Sequence, residues 1–201
     1  MSEPLQGVKK PEFKIINMCK LKLMAMVTIS LLLQINAKCQ KYYSKDAKVS
    51  FYSKAPLENI EAHNYKGACI IEQQTGMVTF SVLMKGFEFA KGLMQDHFNE
   101  NYVESDKYPK ATFVGVINEK VPLVLQDGKH VWKVSGSMTL HGITKPLVTE
   151  IKVSINKGVV VVETAFGLNI IEYGIKIPSI MEEKISEKVQ VIVSPTQLQK
   201  L

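Results

Sequence analysis

Apolar and polar residues alternate along most of the chain from residue 42 onward, and a period of two is typical of β-strands with one buried and one solvated face. In VWKVSGSMTL, every second residue from Trp132 to Leu140 is apolar or glycine, and the residues between them are lysine, serine or threonine. Similar alternation marks the segments 48–52, 78–84, 111–118, 147–155 and 189–193, and the valine run 159–162 completes the series. The pattern predicts about eight strands that share one consistently apolar face.

Short turn sequences between these segments predict antiparallel neighbours. TG at 75–76, DG at 127–128 and NKG at 156–158 are typical of β-hairpins. About eight antiparallel strands with one apolar face either pack as a sandwich or close as a barrel. One segment departs from the pattern, because apolar residues from Glu88 to Tyr102 recur at helical spacing and predict a single inserted amphipathic helix.

In a sequential antiparallel meander, alternate connections lie at the same end of the sheet. Four connections therefore share one end, here called the upper end: the helical connection, the HGITKP turn, the connection 55–65 and the segment following Phe166. This arrangement predicts that His63, His97 and His141 lie near that end. It leaves His130 at the lower end, where the predicted turns are tight.

The chain has 201 residues, enough for one domain with a sizeable core. Residues 1–39 are predicted to be an upstream extension followed by a secretory signal peptide, with Met18 a candidate for the true start. Lysines precede an apolar run that is too short to span a bilayer, and small residues suit cleavage after Cys39 or after Ala37. An uncleaved anchor helix is the alternative. The signal predicts a periplasmic or secreted bacterial protein. Residues 40–201 are predicted to form a single domain.

The formal charge of +6 at pH 7 is mostly an effect of the N-terminal segment. Residues 1–39 hold six lysines and two glutamates, which leaves 19 lysines and 17 acidic residues in the rest of the chain. The sequence has no arginine, so it lacks the planar side chain that grips phosphates and base edges with two hydrogen bonds. We therefore expect no nucleic-acid partner.

Of the three cysteines, Cys19 and Cys39 belong to the predicted signal segment. Cys69 then remains alone in the mature chain, so no internal disulfide can form there. A single cysteine within a strand pattern is expected to be a small buried residue and not a nucleophile.

Two long motifs resemble those of one known family. SGSMTLHGITKPL, residues 135–147, is similar to the Gly-x-Leu-Thr-Ile-His-Gly-Val-Thr-Lys-Pro signature of the YceI-like proteins. LMQDHFNENYVESDKYPKATF, residues 93–113, resembles their Asp-His-Leu, acidic and aromatic, then Tyr-Pro-x-Ile-x-Phe run. The resemblance extends from about Tyr42 to Val193. The sequence departs from the family in its first strand, DAKVSFYSK, which lacks a histidine that many members carry.

The resemblance implies an exported, antiparallel, eight-stranded lipocalin-like β-barrel that encloses a long, polyisoprenoid-like hydrocarbon. The implied partner is an isoprenoid or other long-chain lipid, held by burial of apolar surface worth about 0.8 kcal/mol for each methylene. Together with the strand alternation, the resemblance assigns the following residues to the barrel lining: Phe51, Phe80, Val82, Met84, Met94, Phe98, Phe113, Trp132, Val134, Met138, Leu140, Ile151 and Val153. At the mouth, His97, His141, Thr144 and Lys145 are expected to meet the polar headgroup, with Lys145 as a point charge for an anionic head.

No cofactor, metal ligand or catalytic residue is predicted, and two alternative functions stay open. In one, side chains fill the barrel and the protein is a secreted stress-response or interaction domain that acts through its surface. In the other, His97 flanked by Asp96 and Glu100 belongs to a metal- or histidine-dependent hydrolase. The hydrolase is disfavoured because adjacent helical residues face different directions and no HExxH or GxSxG motif is present. Transient membrane contact and homodimerisation are compatible with the sequence.

Overall fold

The structure, a computed structural model, describes residues 40–201, and the predicted upstream extension and signal peptide (1–39) lie outside the described residues. Nine strands account for most of the described chain: β1 (Lys41–Lys54), β2 (Asn59–Glu72), β3 (Met77–Leu83), β4 (Glu88–Phe89), β5 (Lys110–Ile117), β6 (Gly128–Leu140), β7 (Ile143–Asn156), β8 (Val159–Asn169) and β9 (Lys188–Lys200). Its helical elements are α1 (Gly92–His97), a π-helical turn (Phe98–Tyr102) and three 3-10 turns (Met84–Gly86, Ile170–Tyr173 and Ser179–Met181).

Eight of these strands form a closed antiparallel barrel. Each long strand pairs with its neighbour along the chain, and β1 closes the circle by pairing with both β2 and β9. The two-residue strand β4 lies outside the circle and pairs with β2 at Ala62 and His63. The predicted mainly β, eight-stranded lipocalin-like barrel with one short helix is confirmed.

The two ends of the barrel carry different connections. The upper end holds the connections 55–58, 84–109, 141–142 and 170–187. The lower end holds the connections 73–76, 118–127 and 157–158. Strand parity predicted these ends correctly, because the meander is sequential and every neighbouring pair is antiparallel.

Three local predictions were wrong. The predicted connection 55–65 is much shorter, because β2 begins at Asn59 and pairs with β1 from there. The connection between β5 and β6 spans 118–127, so 127–128 is not a two-residue hairpin. The helix begins at Gly92, because the residues predicted as its first turn pair with β2 as strand β4.

The barrel interior contains two apolar clusters, one above the other. The lower cluster is packed by large strand side chains, among which Ile117, Val134 and Val153 are at most 1% exposed. The upper cluster combines strand residues with side chains from the long connections, such as Phe87 and Tyr173. Strand residues therefore pack most of the lower half, with Leu123 added from the 118–127 connection, whereas the upper half depends more on the connections.

Facing glycines on β5 and β6 make room for an aromatic ring inside the barrel. Gly115 and Gly136 are direct partners across the two strands. A Cβ atom on either glycine would lie 2.7 Å from the end of the Phe113 ring. The ring thus occupies the space that two side chains would otherwise fill.

Gly136→Ala is expected to lower the free energy of unfolding by about 1–3 kcal/mol, because the added methyl would overlap Phe113 and the Val114 carbonyl. Gly92→Ala is the matched control, since nothing lies within 4 Å of a Cβ there and alanine favours the helix. Denaturant unfolding of both variants measures the effect. Equal stability of the two variants would show that the β5–β6 contact is not tightly packed.

Candidate functional site

A cavity of about 330 Å³ occupies the upper half of the barrel, and its lining is almost entirely apolar. The strands contribute Val49, Phe51, Val82, Met138, Leu140, Leu168, Val189 and Val191. The upper connections contribute Met84, Phe87, Phe89, Leu93, Met94, Phe98, Tyr102, Val103, Ile170, Ile175, Met181 and Ile185. Burial raises the pKa of Tyr102, so its hydroxyl stays neutral at physiological pH. This space can hold an apolar molecule but offers few groups for chemistry.

An aromatic cluster holds the helical connection against the barrel. The ring of Phe51 on β1 stacks on Phe98 with centroids 5.4 Å apart and contacts the edge of Phe87 at 5.4 Å. Phe89 lies 5.0 Å from Phe98. Such aromatic pairs each contribute about 0.5–1.5 kcal/mol beyond their burial. The connection therefore forms one wall of the cavity.

Ionisable side chains on the cavity lining are concentrated at its mouth, the upper opening of the barrel. They are Glu58, Lys91 and His97. The Lys91 ammonium donates to the Glu58 carboxylate at 3.0 Å, which links the start of α1 to the β1–β2 connection. The same connection contacts the segment 170–187, because the Leu57 N–H donates to the Glu183 carbonyl at 2.9 Å. Three upper connections thus meet around the mouth.

His141 links three upper connections but does not line the cavity. It forms a two-residue turn with Gly142, and the φ angles of 50° and 74° are those of a type I′ hairpin. Its Nε2 lies 2.7 Å from the Glu104 carboxylate and its Nδ1 lies 3.0 Å from the Tyr173 carbonyl. The ring edge packs on Tyr108, with centroids 4.6 Å apart. These contacts favour a structural role.

A second, smaller cavity of about 90 Å³ lies below the first. Both cavities are lined by Val49, Val82, Ala111, Met138 and Val191, so the two spaces adjoin. Together they extend the apolar interior from the mouth towards the lower cluster.

The predicted lining residues divide between these spaces. The upper cavity is lined by Phe51, Val82, Met84, Met94, Phe98, Met138 and Leu140, and also by His97. The lower cavity is lined by Phe80, Phe113, Val134 and Ile151, with Val82 and Met138 shared. Trp132 and Val153 line neither cavity, because they are buried in the lower cluster where strand side chains fill the barrel. Their predicted contact with a ligand has no support in this packing.

Three of the predicted headgroup residues lie away from both cavities. The Thr144 hydroxyl is 2.8 Å from that of Thr139 on the outer face of the β6–β7 hairpin. Lys145 lies opposite Met138 across the hairpin, at the upper rim, but lines neither space. His141 is occupied on both ring nitrogens. Of the predicted rim set, the structure places His97 alone on the cavity lining.

Sequence reasoning missed most of the lining that comes from the segments 84–109 and 170–187. Val189 and Val191 carry the strand alternation and could have been assigned. Residues such as Ile175 and Ile185 follow no helical or strand period, so no signal in the sequence marked them. Their apolar character is their one clue.

Among residues 40–201, no group of three or more His, Cys, Asp and Glu is arranged to hold a metal ion. His63 faces outward on β2, with Nδ1 2.7 Å from the Ser50 hydroxyl and Nε2 2.9 Å from the Glu61 carboxylate. His63, His97 and His141 therefore have separate surroundings, although all three lie in the upper half of the barrel. In the same part of the chain, no helix has the length and apolarity needed to cross a membrane.

The family comparison agrees with the geometry of the barrel. The YceI-like domain profile matches residues 41–196, most of the chain. This chain belongs to the YceI-like family. The family resemblance of the HGITKP and DHF motifs is thus confirmed. No curated protein matched the sequence.

Solved structures share the fold of this YceI-like chain. A polyisoprenoid binding domain from Saccharophagus degradans is 15% identical, with a TM-score of 0.68 over 81% of this chain and 98% of that one. Burkholderia cenocepacia BcnA is 18% identical, with a TM-score of 0.61 over 76% of this chain and 94% of that one. The Campylobacter jejuni YCEI protein is 14% identical, with a TM-score of 0.50 over 84% and 88%. At these identities the likeness concerns the fold.

Cys69 is buried on the wall of the lower cavity, and burial raises its pKa to about 12. Because the thiolate is the reactive form, iodoacetamide at pH 8 is expected to leave Cys69 unmodified in the folded protein and to modify it after unfolding. Peptide mass mapping separates Cys69 from Cys19 and Cys39. A Val131→Cys variant, at a position 59% exposed, is the positive control. Rapid modification of native Cys69 would contradict its burial.

Proposed function

We propose that this YceI-like protein is an exported lipid-binding protein that holds one long apolar chain of the polyisoprenoid kind in its barrel and carries or sequesters it unchanged. The observation behind the proposal is the upper cavity of about 330 Å³, whose lining is apolar except at the mouth. A hydrocarbon needs no polar partner, and each buried methylene contributes about 0.8 kcal/mol. Binding by burial alone can therefore be tight.

The charge distribution suggests the orientation of the ligand. His97 and Lys91 lie at the mouth, whereas the walls below are aliphatic and aromatic. A lipid with its polar end at the mouth and its chain below would leave no polar group unpaired in the apolar interior. Met84, Met94 and Met138 line the space, and methionine adapts to flexible chains.

Two further observations support the proposal. The solved domain from Saccharophagus degradans that shares this fold is described as polyisoprenoid binding. The N-terminal lysines and apolar run have the pattern of a secretory signal, which supports export to the periplasm or the exterior.

The direct test is to purify the protein from its native host, extract it with organic solvent and analyse the extract by mass spectrometry. We expect an isoprenoid or acyl chain at about one molecule for each protein, and rebinding of added prenols to the stripped protein. An empty extract together with no prenol binding would overturn the carrier function. That result would favour the alternative of a stress-response or interaction domain that acts through its surface.

Met138→Glu is expected to abolish prenol uptake, because it places a carboxylate on the wall shared by both cavities. Val131→Glu is the matched control on the exposed outer face, where the new carboxylate lies opposite Lys152. Farnesol that stays with the protein through gel filtration, quantified by mass spectrometry, measures binding, and thermal unfolding checks the fold. We expect the control to change stability by no more than about 0.5 kcal/mol. Normal uptake by Met138→Glu would show that the ligand lies elsewhere.

We also infer that the mouth contacts a lipid bilayer during transfer. The connections around it expose three large apolar side chains, Leu57 at 65%, Leu93 at 67% and Ile180 at 85%. Leu93 lines the mouth directly, and Leu57 and Ile180 lie on the two connections that meet there. Apolar side chains exposed beside a lipid site are suited to dip into a membrane surface.

Replacing Leu57, Leu93 and Ile180 together by serine is expected to abolish sedimentation with phosphatidylcholine and phosphatidylglycerol vesicles, because each buried side chain contributes about 1.5–3 kcal/mol. The control replaces Val114, Val116 and Val131 by serine, because these valines are 46–59% exposed on the outer wall. Equal loss in both triple variants would show that exposed apolar area in general, and not the mouth, drives the contact.

A further inference from the structure

The wall of the barrel is incomplete between β7 and β8. The two strands pair in their lower parts, up to Ile151 and Thr164. Within residues 40–201, no ladder pair continues above this point, since residues 143–150 pair with β6 alone and residues 165–169 pair with β9 alone. We call this region the β7–β8 gap.

Two prolines explain why the strands separate there. Pro146 lies in the part of β7 that pairs with β6 alone and has no N–H to donate to β8. Pro195 lies in β9 where the register with β8 shifts between Val162 and Thr164. An extra residue of this kind bends the paired strands. β8 therefore follows β9 and diverges from β7 above Thr164.

Just above the last ladder pair, Ile151 with Thr164, side-chain contacts close the lower corner of the gap. The Thr164 hydroxyl donates to the Glu150 carbonyl at 2.7 Å and lies 3.3 Å from the Thr149 hydroxyl. Such contacts can open without breaking the strand ladder below them. The corner can therefore widen while the barrel stays closed elsewhere.

The lower cavity reaches the gap. Its lining includes Leu147 and Thr149 on β7 and Glu163 and Phe166 on β8. Glu163 itself lies opposite Lys152 in the paired part of the two strands, below the gap. Leu147, Thr149, Thr164 and Phe166 flank the part of the wall where β7 and β8 are not paired, so the lower cavity adjoins the gap.

The size of the interior makes such an opening useful. The upper cavity of about 330 Å³ is at the low end of the range, roughly 300–1,000 Å³, that encloses a drug-sized ligand. A polyisoprenoid of many units is too long for this space. A chain that enters at the mouth must then fold back or leave the barrel, and the adjoining cavities lead from the mouth to the gap.

We propose that the β7–β8 gap is a lateral exit of the lipid site, through which the tail of a long chain leaves the barrel while its polar end stays at the mouth. The proposal rests on the lipid-binding function proposed above. The ligand class is long prenyl lipids, and the barrel sets no upper limit on their length.

Photolabelling of the full-length protein tests the exit. Farnesol and undecaprenol, each with a diazirine at the end distant from the hydroxyl, are bound and irradiated, and the labelled peptides are mapped. We expect farnesol to label residues inside the cavities, such as Phe80 or Met138, and undecaprenol to label residues at the gap, such as Leu147, Val148 or Phe166. Undecaprenol labels confined to the interior or to Leu93 and Met181 at the mouth would overturn the exit. Failure of both prenols to bind would reject the lipid-binding function, and the exit with it.

A variant pair tests whether the gap limits chain length. Thr164→Trp places a large ring at the lower corner of the gap. Because Thr164 also lines the lower cavity, the two affinities are compared, and we expect undecaprenol binding to weaken at least about tenfold more than farnesol binding, the effect of excluding two or more methylenes. Val131→Trp, on the outer face, is expected to change the affinity for neither prenol. Retained farnesol binding also shows that the variant is folded. Undecaprenol affinity unchanged in a folded Thr164→Trp protein would overturn the proposal, and if that variant does not fold, the photolabelling of the unmodified protein decides.

Discussion

The pairing of β1 with both β2 and β9 is the constraint on which the rest of the structure depends. It joins the two ends of a sequential meander, so the eight strands enclose an interior and leave no free edge below the β7–β8 gap. Once the sheet is closed, alternate residues of every strand must face inward. The volume of those side chains then decides where the interior is solid and where it is empty.

Large inward-facing side chains are distributed unevenly along the barrel. Trp132, Val153 and their neighbours fill the lower end of the barrel, below the smaller cavity, and are almost fully buried. In the upper half, the long connections lie across the opening and leave a cavity between them and the strands. The Phe51 cluster and the contacts of His141 hold these connections in place. The cavity exists because the connections span the upper barrel without filling it.

The polar groups of the site follow from the same arrangement. An apolar interior cannot hold unpaired charges, so Glu58, Lys91 and His97 lie where the cavity meets water. His141, which looks like a site residue in the motif, instead makes structural contacts with Glu104 and Tyr173. A histidine in a family motif can thus have a structural role, which here is to hold the upper connections together.

The sequence by itself determined the strands, their inward faces and the end at which each connection lies. Alternation marked Met138 and Leu140 as inward because a pleated strand has a period of two. Alternation could not show that Met138 lines both cavities whereas Trp132 is surrounded by other side chains. That difference depends on which side chains from distant parts of the sequence share the same space. Alternation also missed Ile175 and Ile185, since irregular connections have no period to read. Only the tertiary structure decided where the cavity lies, what His141 contacts and where β7 and β8 separate, because each of these results from contacts between residues far apart in the chain.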